Sequence, residues 1–181
     1  MIRSFWPLLI PFSVVLIGSW RLSAESTIPT GGQQVVSRRE KQSFPDYTFP
    51  PSGNFATCQQ DPSLDEALLR EGSRLGVRAI AGQPELANKD ATYRAEHGRL
   101  GTITLKQRSM SPAVRCMLIS HEFIHVLQHL HGNLKGVDSL GWQTTPEGIQ
   151  RFGSIQEAEA YRYQNRAGHV IRLLQQTPVP Q

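Results

Sequence analysis

Residues His121-Glu122-Phe123-Ile124-His125 set two imidazoles four positions apart, with a carboxylate directly after the first. On an α-helix, residues four apart sit nearly one above the other, so His121 and His125 can present both rings to one metal ion. Glu122 falls about a hundred degrees round the axis, beside the ion rather than aimed at it. From there it can take a proton from a metal-bound water as a general base. Zinc suits this set, because imidazole is a favoured ligand and an open position can hold the water. Leu118, Ile119, Phe123, Ile124, Val126 and Leu127 around the motif are uncharged, as a helix sunk in a core requires.

Two histidines leave zinc in need of a third protein ligand. His131 lies ten residues after His121, where the metzincin pattern HExxHxxGxxH places its third histidine, but Gln128 stands where that pattern needs its turning glycine. A continuing helix carries His131 about 120° away from His125. His129 follows His125 at helical spacing, yet three histidines up one straight helix cannot converge on one ion. His129 and His131 therefore read as polar helix-end residues favourable to the dipole. Further on, Ile155-Gln-Glu157-Ala-Glu159-Ala-Tyr161-Arg-Tyr163-Gln164 makes a second helix with two candidate ligands, Glu157 and Glu159, each followed by an alanine. Ser154-Ile-Gln-Glu157 also spells a capping box, which would occupy Glu157 and leave Glu159 as the alternative ligand.

An HExxH helix followed by a helix carrying a glutamate and a small residue resembles the gluzincin metallopeptidases. Glu157-Ala-Glu-Ala160 is similar to the Glu-x-x-Ala-Asp element of the M48-like peptidases and to its counterpart in the ImmA/IrrE-like group. The resemblance spans residues 100–170. It implies Glu157 as third ligand, Ala160 at the small position, and Tyr161 in place of the usual Asp, where a hydroxyl could supply the outer hydrogen bond. It also implies an α+β, zincin-like minimal domain: a short antiparallel hairpin or sheet, an HExxH active-site helix and a Glu-bearing C-terminal helix. The activity implied is hydrolysis of peptide bonds by a zinc-activated water, with Glu122 as general base. Zincins place a strand before the helix whose edge can pair with an extended peptide; Leu100–Leu105 is the candidate.

The elements that must position these residues are legible from local signals. Ser111 can cap a helix that Pro112 begins, and no Gly or Pro interrupts it before Gly132. Residues 91–97 and 100–105 flank His97-Gly98-Arg99 and predict a β-hairpin. Asp61-Pro62 followed by Leu64, Ala67, Leu68 and Leu75 predicts a helix with an Asp cap. Glycines at 132, 136, 141, 148 and 153 predict a loop, and a last helix is expected from Ser154 to about Gln175. Tyr161 and Tyr163 read as core-edge packing or as donors to a developing oxyanion. Trp142 could line a cleft or plug the core, and His97 and His169 read as surface residues.

The 181 residues suffice for one ordinary domain. With 39% hydrophobic and 19% charged residues, the chain is neither disordered nor fibrous. Lys and Arg number 19 against 15 Asp and Glu, and without Arg3 and Arg21 the balance is 17 against 15. That small excess, with no basic stripe among aromatics, speaks against a nucleic-acid partner. Residues 1–24 place Arg3 before an apolar run from Phe5 to Trp20, with Ser23 and Ala24 after it, the layout of a secretory signal peptide or, if uncleaved, an N-terminal anchor. Export to a periplasm, lumen or exterior makes a Cys58–Cys116 disulfide feasible. Residues 25–55 read as a flexible Pro/Gly/Ser-rich arm, 56–175 as the zincin-like domain and 176–181 as a tail. The membrane enters only through an uncleaved N-terminus. The expected partner is a peptide or protein substrate; the alternative is a non-catalytic zinc-binding envelope module that recognises a protein partner.

Overall fold

A computed structural model describes residues 44–51 and 53–180. The signal-peptide or anchor segment at 1–24, and the arm as far as residue 43, lie outside the described residues. No helix among those described is long and apolar enough to cross a membrane. They form a mixed α+β fold of five helices and one three-stranded sheet, in the order α1 (Leu64–Leu75), β1 (Arg78–Ala81), β2 (Ala91–Glu96), β3 (Arg99–Leu105), α2 (Pro112–His131), α3 (Pro146–Phe152), α4 (Ile155–Tyr163) and α5 (Ala167–Gln176).

The hairpin of β2 and β3 turns at His97-Gly98, where Gly98 has φ +79°. At Gly101 a Cβ would stand 1.7 Å from the Arg94 carbonyl oxygen, beside the register shift between Arg94 and Glu96. Only glycine lets the two backbones close there. β1 carries no sequence signal for a strand: its four residues are all exposed, so no alternation of burial marks it. It pairs in parallel with β3, which makes β3 the central strand. Leu100–Leu105 therefore has both edges used and cannot receive a peptide; β2 is the edge strand beside α2.

α2 is the centre of the core. Ser111 Oγ accepts the Val114 N–H at 3.4 Å, Pro112 opens the helix, and the Gly132 N–H returns to the Gln128 carbonyl at 3.0 Å. Its flanks meet α1, β2, β3, α4 and α5, so buried residues such as Ile119, Phe123, Ile124 and Leu127 occur all round it. α1 starts later than its Asp cap predicts. Ser63 holds the N-cap position, and Asp61 Oδ1 instead accepts the Ser63 N–H and hydroxyl in the turn before it.

The C-terminal third departs from expectation twice. Thr145 caps α3 inside the stretch predicted as loop, and Gly153, at φ +85°, ends it. The single last helix is two helices, because the chain breaks at 164–166 to offer the Asn165 carbonyl to the Cys58 N–H at 3.1 Å. Gly168 then packs on the backbone of Ala56, where a Cβ would lie 2.9 Å from its carbonyl oxygen.

Cys58 and Cys116 are joined by a disulfide across 58 positions, a closure worth about 4 kcal/mol of unfolded-chain entropy. Packing begins ahead of Cys58. Tyr47, within the stretch predicted as an arm, is fully buried, with its hydroxyl on Thr177 Oγ1 at 2.9 Å. Trp142 plugs the core: it is 2% exposed and its indole N–H donates to the Tyr47 carbonyl at 2.9 Å.

Candidate metal centre

His121 and His125 leave α2 one turn apart, with their Nε2 atoms 3.2 Å from each other. Glu157, in the first turn of α4, reaches both: Oε2 is 3.5 Å from His121 Nε2 and Oε1 is 3.4 Å from His125 Nε2. The cap and the site do not compete for Glu157. Ser154 Oγ accepts the Glu157 backbone N–H at 3.1 Å, which leaves the carboxylate for the imidazoles.

One ligand atom from each residue lies within 4.8 Å of the others, so the triad could hold a metal ion. The spacing suits zinc, since two ligands about 2.0–2.1 Å from a tetrahedral ion stand about 3.4 Å apart. Glu157 Oε2 is buried without a hydrogen bond, a need that a cation would meet. The paired imidazoles hold the Glu157 carboxyl far below the usual carboxylate range. Burial works against a protonated His125, but Glu157, Glu122 and Gln128 outweigh it and its pKa is raised.

The His125 ring is aimed by residues behind it. Gln128 Nε2 donates to the Gln156 carbonyl at 3.0 Å and to Glu159 Oε2 at 2.9 Å. Gln128 Oε1 therefore accepts, and His125 Nδ1, 2.7 Å away, must carry the proton, which leaves its Nε2 lone pair for a metal. Glu159 lies outside the triad. It is fully buried, and besides Gln128 it accepts from Ser139 Oγ at 2.7 Å and from the Leu140 and Trp142 backbone N–H groups at 3.0 Å each.

Glu122 is 3% exposed, and burial pushes its carboxyl up despite the opposing pull of His121 and His125. A carboxylate with a raised pKa beside the two histidines of the candidate triad is equipped to hold and release a proton. β2 is fastened to the same helix: the Tyr93 hydroxyl accepts the Gly101 N–H at 3.1 Å and is hydrogen-bonded to His129 Nδ1 at 2.8 Å. His129 is 1% exposed and burial lowers its pKa, so it is a neutral anchor for β2 and not a cation at the helix end. His131 and His97 are exposed, whereas His169 is buried against Phe55 and Trp142, contrary to its reading as a surface residue.

Tyr161 does not give His121 an outer hydrogen bond. Its ring meets the imidazole edge-on at 4.5 Å, His121 Nδ1 makes no hydrogen bond, and the Tyr161 hydroxyl faces Lys89 Nζ at 3.4 Å. Tyr163 packs on Trp142 instead. Lys89, from the loop between β1 and β2, also stands 3.8 Å from Glu157 Oε2. Burial opposes its charge, but Glu157 and Tyr161 more than compensate and its pKa is raised. No spacing links Lys89 to the motif, so sequence alone could not have found it. These side chains and the β2 edge border a cleft of about 400 Å³.

No protein-family model, no curated protein and no solved structure matches this chain.

Proposed function

We propose that this protein is an exported zinc metallopeptidase of gluzincin type that hydrolyses peptide bonds. The observation that carries the reading is the convergence of His121, His125 and Glu157 at tetrahedral spacing, with the buried Glu122 alongside. A zinc ion held by the triad would supply Lewis-acid polarisation of the scissile carbonyl and a water of lowered pKa. Glu122 takes one proton from the attacking water and returns it to the leaving nitrogen, so the C–N bond is exchanged for a carboxylic acid and an amine. β2 is an outer strand of the sheet and borders the cleft, which suits the addition of an extended substrate along it. A disulfide between Cys58 and Cys116 is in keeping with an oxidising compartment.

The test is metal content followed by turnover, on protein produced in an oxidising compartment. About one zinc per chain is expected, lost in His121→Ala and Glu157→Gln. Glu122→Gln should keep the zinc and lose peptide hydrolysis by at least about a hundredfold. A folded protein that takes up no zinc would sink the reading. Zinc without turnover would leave the non-catalytic binding module instead.

A further inference from the structure

Lys89 is the cleft residue that the hydrolysis above leaves unused, and its position is built rather than incidental. Asn88 adopts φ +66°, and the Lys89 N–H closes a turn onto the Leu86 carbonyl at 3.3 Å. The next residue, Asp90, is pinned by Arg108 Nε at 2.8 Å, and its carbonyl accepts the Lys106 N–H at 2.8 Å. The backbone is thus tied down on both sides of Lys89. Its ammonium lies 5.5 Å from the centre of the Tyr161 ring, which is itself stacked on Phe152 at 4.1 Å.

Two carboxylates, Glu157 and Glu122, favour the charge on Lys89, but neither accepts a hydrogen bond from it among the described residues. Lys89 is the only Lys or Arg that lines it among the described residues, and the nearby Asp90 is matched by Arg108. Glu157 serves the histidines, and its 3.8 Å from Lys89 Nζ is beyond hydrogen-bond length. An ammonium has three N–H donors, and among the described residues only the Tyr161 oxygen, at 3.4 Å, is within reach of one. Because Tyr161 accepts that bond, its own hydroxyl proton remains to be given. Two donors held side by side suit the two oxygens of a carboxylate. A cleft of about 400 Å³ is the size of a small-ligand pocket rather than a long protein groove.

We propose that Lys89 and Tyr161 form a carboxylate receptor, so that the cleft selects peptides bearing a free carboxylate close to the bond to be cleaved. The inference rests on the peptidase reading for what surrounds that carboxylate. The carboxylate can come from a chain end or from an acidic side chain, and the test separates the two.

The full chain carrying Glu122→Gln, loaded with zinc, is titrated calorimetrically with N-acetyl-trialanine as free acid and as C-terminal amide. A second pair, the amides of N-acetyl-Ala-Glu-Ala and N-acetyl-Ala-Gln-Ala, tests the side-chain source. In at least one pair the acidic peptide is expected to bind about tenfold or more tightly than its neutral partner. Lys89→Met, which keeps the stem over Tyr161, should abolish that preference, Lys89→Arg should keep most of it, and Tyr161→Phe should weaken it. Equal affinities, no binding of any peptide, or a preference that survives Lys89→Met would each overturn the receptor. Zinc content measured on the same samples reports separately on the peptidase reading. A chain without zinc that still shows a Lys89-dependent preference refutes that reading and keeps the receptor.

Discussion

Glu157 and Glu159 are two residues apart, each followed by an alanine, and the structure gives them opposite work. Two steps along a helix is about 200° of rotation, so only one can face α2's histidines. Which one does depends on the loop at 139–142, whose N–H groups and serine need an acceptor from the other side. That loop has no periodicity to announce it, which is why the candidate pair His121 and His125 was legible from spacing while the third position stayed open. Glu159→Ala is expected to leave four donors without their acceptor and to cost about 3–5 kcal/mol, read from urea denaturation of the metal-free protein. It should also weaken zinc about 10–100-fold in a competition titration, because Gln128 and then His125 lose their aim. Glu157→Ala should do the reverse, losing metal with far less loss of stability.

Among the elements, α2 and the β2–β3 hairpin were readable because their signals are local: a Ser-Pro start, a glycine stop and a His-Gly turn. β1 and the break at 164–166 were not, since each exists through a distant partner, β3 in one case and the Cys58 backbone in the other. The seating of α2 depends on a similar long-range fit. A Cβ on Gly72 of α1 would lie 2.4 Å from Phe123 Cζ, on the residue next to Glu122. Gly72→Ala is therefore expected to cost about 1–3 kcal/mol by overpacking, measured by thermal or chemical denaturation. Phe123→Leu in the same chain should recover part of that loss, whereas purely additive losses would show that the two sites do not press on each other.

The molecule as a whole buries two histidines outside the triad, His129 and His169, and burial lowers the pKa of both. An unfolded histidine takes up its proton at about pH 6.5. Below that value the unfolded chain binds more protons than the folded one, so stability is intact above it and is lost as pH falls towards the lower folded values. The urea midpoint is expected to drop between about pH 7.5 and pH 5.5. The drop should be smaller in a His129→Gln, His169→Phe double variant, in which neither site can titrate; an unchanged drop would assign the effect to other groups.

Tyr47 holds the Trp142 indole by its carbonyl, the Trp142 backbone grips Glu159, Glu159 holds Gln128, and Gln128 orients His125. These four bonds are in series, from the first packed stretch among the described residues to a candidate ligand ring. The Tyr47 carbonyl and the His125 imidazole therefore belong to one continuous run of hydrogen bonds. The aim of a candidate ligand ring thus has its far support on a segment more than seventy residues earlier in the chain.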